Sequence, residues 1–208
     1  MTQPNLPAER QRRRAPQETR TKLVRAALDL FTTQGYHEST TPQIAKRAGV
    51  AEGTIYRHFE SKEHLLNEIY RGAVRLFTEI VTASPAAVTC RERLSAIASK
   101  WREVAERDPG LVRLAFVAPP TALLDGRSRA IYQEFKDALE KVLASGKASG
   151  EVRAGPVGLW ADVWVQLIRL MLQRVAAREW NATQPAPQQV VDAAWDAVAA
   201  VKRPQPGP

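Results

Sequence analysis

The chain has 208 residues, with 30 lysines and arginines against 22 aspartates and glutamates, a formal net charge of +8. That length suits one compact unit or two small ones and buries roughly 70% of the unfolded surface without a disulfide or metal staple; a 44% hydrophobic and 25% charged composition excludes global disorder. The lone cysteine, Cys90, excludes an internal disulfide framework and a multi-cysteine zinc site and fits a reducing cytosol, and the longest apolar candidate, 159–175, is broken by Asp162, Gln166, Arg169 and Arg174 before it reaches the length of a membrane span.

Residues 1–16 carry Pro4, Pro7 and Pro16 among polar and basic residues and read as a disordered basic arm. From Glu9 to Arg25 seven basic residues face two acidic ones, a local +5 that leaves +3 for the rest. An amphipathic segment follows, so the arm is no secretory signal. Such charge suits a polyanion, or else a solvated leader; charge alone does not choose. Leu23, Ala27, Leu30 and Phe31 then mark one face of a helix that Gly35 stops.

Thr41-Pro42 is a helix start, with Thr41 as cap and Pro42 at the first helical position. Ile44, Ala45 and Ala48 give this second helix a short apolar face, and Gly49 ends it. A third short helix runs from about 52 to 59, anchored by Ile55 and Phe59, while Glu52, Thr54, Tyr56, Arg57 and His58 are polar or amphipathic. Two short helices joined by a tight glycine turn form a helix-turn-helix, whose second helix can enter a DNA major groove. Gly53 is a poor helix former, explained if a side chain there would hold the backbone off a groove wall. Ser61 caps a long fourth helix, with His64 where a capping box has Glu.

Ser84-Pro85 sets the domain boundary, giving a head at 17–84, a second domain at 85–203 and a flexible tail at 204–208. Helices are expected near 88–106, 109–117, 122–146, 156–180 and 186–202. No run alternates long enough for a strand, so the fold class is all-α, with about nine helices. The 156–180 helix carries two stripes, Leu159, Val163, Leu167, Leu170 and Met171, then Trp160, Trp164, Ile168, Leu172 and Val175. Apolar on both sides, it buries one face in its own core and another against something else. His37, His58 and His64 have no ligand spacing, so no metal is expected.

Thr19-Arg20, Ala26-Ala27, Leu30-Phe31, Gly35-Tyr36, Thr40-Thr41, Ile44-Ala45, Ala48-Gly49-Val50, Gly53-Thr54-Ile55-Tyr56, His58-Phe59, Lys62 and Leu65 together resemble the TetR/AcrR family of bacterial transcriptional regulators. The resemblance runs from Thr19 to about Tyr70; the remainder is only compatible with the family's helical ligand-binding and dimerisation domain. It implies phosphate contacts by Thr40, Thr41 and Lys62, contacts to phosphates and base edges by Tyr56 and His58, and base reading by Glu52, Gly53 and Thr54. Arg57 either joins them or merely faces solvent. Two positions depart from the pattern. Ala51 stands where Ser is frequent, which removes a cap and a phosphate donor, and Pro42 stands where some relatives carry a groove-reading side chain. The Arg10–Arg14 cluster adds nonspecific phosphate affinity or reaches a minor groove.

The resemblance further implies a cytoplasmic homodimer through helices 156–180 and 186–202, on the nucleoid when bound to a pseudo-palindromic operator. It also implies a small-molecule pocket, with Trp101, Leu114, Phe116, Tyr132, Phe135, Trp160 and Trp164 as candidates either for its lining or for plain core. Their aromatic character favours a lipophilic or aromatic effector that releases a repressor. The alternative is a DNA-binding regulator whose second domain takes a protein partner. No GxSxG, HExxH, phosphate-cradling glycine loop or Cys-His pairing is found, so neither enzyme activity nor a cofactor is expected.

Overall fold

The computed structural model describes residues 6–85 and 89–201, with side chains from Pro16 onward. The expected tail at 204–208, the start at 88 and the Arg10–Arg14 side chains lie outside the described residues. The chain forms two compact units, one reaching Ile69 and the other starting at Tyr70.

The first unit contains α1 (Leu6–Thr33), α2 (Thr41–Ala48), the 3₁₀ helix η1 (Glu52–Arg57) and the start of α3 (Lys62–Thr82). The backbone expected to be an arm up to residue 16 is helical from Leu6. Its Ala, Glu, Gln and Arg residues are strong helix formers, and Pro16 removes one hydrogen bond without ending the helix. Leu23, Ala27, Leu30 and Phe31 form the buried face, as the spacing predicts, and meet Ile44, Ala45, Ile55, Phe59 and Leu65 in one core. The boundary expected at Ser84-Pro85 falls instead inside α3. A proline break marks where a helix ends, not which core its residues join: Phe77 stands edge-on to Trp101 and Phe116 at 5.7 and 4.7 Å, within the second unit.

The second unit adds α4 (Cys90–Arg107), α5 (Pro109–Val112), a π-turn at Arg113–Val117, the 3₁₀ turn η2 (Thr121–Leu123), α6 (Gly126–Ala148), α7 (Val157–Ala176) and α8 (Ala186–Val198). Thr89 and Glu92 make a capping box for α4, and the Asp125 carboxylate caps α6 by accepting from the Ser128 N–H at 2.7 Å. The helix expected near 109–117 therefore changes register midway, and the one expected from 122 starts at Gly126. α7 stops at Ala176, short of 180, because Arg178 adopts a left-handed φ of 63°. α8 stops at Val198, short of 202, because Ala199 pairs with Val152 in an antiparallel bridge, with Arg153 N–H donating to Val198 O at 3.0 Å. Among the described residues this is the sole β pairing, and no helix is long and apolar enough to cross a membrane.

α6 packs on α4 where Gly146 meets Cys90. A Cβ on Gly146 would lie 2.4 Å from Cys90 Sγ and 2.9 Å from Val152 Cγ2. Cys90 is buried, and burial together with Glu151 pushes its thiol up to about 11, so it is a packing residue with little thiolate. Gly146→Ala is expected to cost about 1–3 kcal/mol of overpacking, read from a urea melt.

Candidate functional site

Thr40, rather than Thr41, caps α2. Its hydroxyl accepts from the Gln43 backbone N–H, and the Gln43 side-chain Oε1 accepts from the Thr40 N–H at 2.8 Å, a capping box with Gln in the acidic place. Pro42 then sits in the first turn, where its absent N–H costs nothing. At the other end Gly49 takes a left-handed φ of 68°, and the Gly49 and Val50 N–H groups close the helix on Lys46 O and Ala45 O. That turn points the chain into η1. The segment expected to be an α-helix over 52–59 is a 3₁₀ helix ending at Arg57. Ala51 precedes it without a side-chain cap, so nothing holds its first turn in α register.

η1 is anchored by Ile55 and, just beyond it, Phe59, each 2% exposed. Around these anchors Ala51, Glu52, Gly53, Tyr56 and Arg57 are exposed, and Thr54 and His58 are half-buried. Tyr56 is 57% exposed, which separates it from a ring packed into the bundle. An added Cβ at Gly53 would meet nothing within 4 Å.

Freed from capping, the Thr41 hydroxyl lies 3.0 Å from the Tyr56 hydroxyl. One of the two donates to the other, which leaves one O–H directed elsewhere and able to donate to an anion. Lys62 sits differently. Its Nζ donates to Tyr36 O at 2.9 Å and Ser39 O at 2.7 Å and lies 4.2 Å from the Tyr36 ring centre. The ammonium thus fastens the turn between α1 and α2, and two of its three N–H donors are engaged. Arg20 also has a structural position, bonded to Glu68 at 2.7 Å and over the Phe59 ring. Ser61 accepts from the His64 N–H at 2.9 Å, but His64 Nδ1 accepts from the Glu60 N–H at 3.2 Å and not from that of Ser61, so the reciprocal half of a capping box is displaced by one residue.

The second unit contains a cavity of about 390 Å³, within the range of small-molecule sites. Of the expected lining, Phe116 and Tyr132 face it. Trp101, Leu114, Phe135 and Trp164 are buried core instead, their rings or branches filling the space between α4, α6 and α7. Trp160 caps the Gly155 turn, donating from Nε1 to Ala154 O at 3.2 Å under the Arg153 guanidinium. Sequence reasoning missed Tyr70, Arg129, Gln166 and Arg169. A signal existed for two of them: Gln166 and Arg169 are the residues that interrupt the apolar stretch 159–175. Among the described residues no cluster of three or more His, Cys, Asp or Glu could hold a metal.

A left-handed glycine hinge between two short helices, the second anchored on two side chains and otherwise exposed, defines a helix-turn-helix transcription regulator. Residues 23–69 match the family model described as bacterial regulatory proteins, tetR family. The chain is 29% identical to the fatty acid metabolism regulator protein of Bacillus subtilis over 137 residues, 64% of this chain and 71% of that one. It is 26% identical to the HTH-type transcriptional repressor KstR of Mycobacterium tuberculosis over 167 residues, 78% of this chain and 75% of the other. Its fold is similar to the crystal structure of the transcriptional regulator FadR from Bacillus subtilis in complex with stearoyl-CoA, at 24% identity and a TM-score of 0.71, covering 85% of this chain and 98% of that one. Residues 23–69 thus form the N-terminal domain of the tetR family of bacterial regulatory proteins.

Proposed function

We propose that two copies of this chain bind a pseudo-palindromic DNA operator and repress transcription until a small lipophilic or aromatic ligand in the second unit releases them. The observation that carries the DNA side is η1, exposed apart from its anchors and headed by a glycine with no neighbour to accommodate. Tyr56 and Thr41 supply a hydroxyl pair for phosphate, and Glu52, Gly53 and Thr54 stand at the first turn for base edges. Thr40, Pro42, Ala51, Arg57 and His58 border the same surface, and Lys62 holds the turn behind it while keeping one donor in reserve.

The dimer side rests on α7. Of its second stripe, Trp164, Ile168, Leu172 and Val175 are buried within the unit and Trp160 is half-buried. On the first stripe Met171 is buried as well, but Leu159 is 50% and Leu170 41% exposed, an apolar edge left for a second copy. The ligand side rests on the cavity, and a relative of the same fold is described as binding stearoyl-CoA. That favours a small effector over a protein partner. Release is a population shift, tenfold in operator affinity for each ~1.4 kcal/mol by which the ligand prefers the conformer that binds DNA poorly.

Selection from a pool of random duplexes tests this reading. It is expected to recover an inverted repeat bound by a dimer, and Leu159→Glu with Leu170→Glu is expected to give monomers that lose the repeat. Recovery of a single half-site by a monomer would contradict it.

A further inference from the structure

The cavity combines an apolar surface with two cations. Ala115, Phe116, Leu124 and Val165 line it together with Arg129 and Arg169, and no aspartate or glutamate does. Arg169 is half-buried and Arg129 exposed, so water answers part of their charge, and no side chain of the lining does. Among the described residues no carboxylate pairs with either one. The neighbouring acids are engaged elsewhere: Asp125 with Arg71 at 2.8 Å, Asp137 with the Gln133 amide at 2.8 Å, and Asp162 with Lys136 at 3.4 Å. Tyr70 does not offset the charge, because burial, with Tyr132 adding to it, pushes its phenol up to about 12 and keeps it neutral.

Instead of carboxylates, both arginines hold backbone. Arg169 Nη2 donates to Val117 O at 2.9 Å, and Arg129 Nη1 donates to Leu124 O. These carbonyls bracket the segment that brings Pro119 and Thr121 into the lining. The first of them ends the π-turn Arg113–Val117, which also carries Ala115 and Phe116. Departures from α register of this kind recur where a helix builds a site. A guanidinium has five N–H donors, so one carbonyl does not exhaust it.

We infer that the cavity selects an amphipathic anion, a small molecule with a carboxylate or phosphate held by Arg129 and Arg169 and an apolar or aromatic body against Phe116, Leu124 and Val165. The inference rests on reading this cavity as the effector site and adds the charge of its ligand. Neutral and cationic compounds of the same shape forgo charge-assisted hydrogen bonds to the two guanidinium groups and bind more weakly.

A matched series tests the charge: decanoate, decanol and decylamine, titrated calorimetrically into the full chain and scored for release of the selected DNA repeat. Decanoate is expected to bind at least tenfold more tightly than decanol, with decylamine weakest. Decanoyl-CoA distinguishes a free carboxylate from a phosphate-bearing thioester, and tight binding of either supports the inference. Arg129→Gln with Arg169→Gln is expected to reduce the preference for decanoate over decanol to less than twofold while decanol binding persists. Arg129→Lys with Arg169→Lys keeps the charge and is expected to keep the preference, which guards against a variant that merely unfolds. If decanol or decylamine binds and releases DNA as well as decanoate, the cavity is the effector site and anion selection is wrong. If no member of the series binds, the effector-site reading falls with it.

Discussion

Asp125→Ala is expected to lower the unfolding free energy by about 3 kcal/mol. The partner is the reason. Arg71 has a side chain only 4% exposed and is held by Asp125 Oδ2 at 2.8 Å and by Ser128 Oγ at 3.1 Å. Removing the carboxylate leaves a buried cation with its hydroxyl partner but without this counter-charge, and broken buried pairs cost about 3–5 kcal/mol. Asp125 is itself 44% exposed, which places the effect toward the lower end. It also caps α6, so that helix loses its first-turn acceptor as well. The double change Arg71→Leu with Asp125→Ala is expected to be milder than Asp125→Ala alone, since the stranded charge goes with its partner. Urea melts of the three proteins decide, and a loss below about 0.5 kcal/mol for Asp125→Ala would contradict the burial argument.

The same group gives a pH dependence. Burial alone would raise the Asp125 carboxyl, but the Ser128 N–H and hydroxyl and the Arg71 guanidinium outweigh it and hold the group below its ordinary value. A carboxyl lowered in the folded state stabilises the protein above the ordinary carboxylate range, near pH ~4. That contribution is lost as pH falls from there through the folded-state value. The stability gap between the unaltered chain and Asp125→Asn is therefore expected to be full at neutral pH and to close in the acid range.

Gly53→Ala is expected to separate fold from function in the opposite sense. Gly53 has ordinary negative φ, and an added Cβ meets nothing within 4 Å, so the fold gives no reason for glycine there. Alanine removes conformational freedom from the unfolded chain and is expected to stabilise by about 0.4–1 kcal/mol. With η1 docked in the groove as proposed, that methyl would stand between helix and groove wall, and operator affinity is expected to fall by about tenfold or more. A thermal melt paired with a duplex titration reads both. Unchanged DNA affinity would mean that the first turn of η1 does not approach the groove closely.

The head was legible in the sequence because its constraints are local. Apolar spacing in α1, the glycine at the end of α2 and the two anchors of η1 each act within a few residues, and each is found where the pattern puts it. Local rules also account for what was misjudged nearby. Thr40 and Thr41 are equally good caps by type, and only the Gln43 side chain decides between them. The arm was read from its prolines and charge, although the intervening Arg, Glu and Ala residues favour helix. In the second unit the deciding facts are long-range. The Val152–Ala199 bridge ends α8, Arg71 finds Asp125 across 54 positions, and the cavity gathers residues from α3, the π-turn, α6 and α7. Aromatic residues were sensible candidates for a pocket, but size and rigidity suit them equally to a core. Trp101 and Trp164 are core, whereas the polar interruptions of α7 mark the cavity.

The most direct test of the central claim, that the exposed face of η1 and its flanking hydroxyls seat the protein on duplex phosphates, is the salt dependence of binding to the selected inverted repeat. The logarithm of the association constant is expected to fall steeply and linearly with the logarithm of salt concentration, with a slope of about −0.9 per phosphate neutralised. Tyr56→Phe, which removes one hydroxyl of the pair but no charge, is expected to weaken binding at every salt concentration without changing that slope. An affinity that stays constant as salt rises would contradict the account.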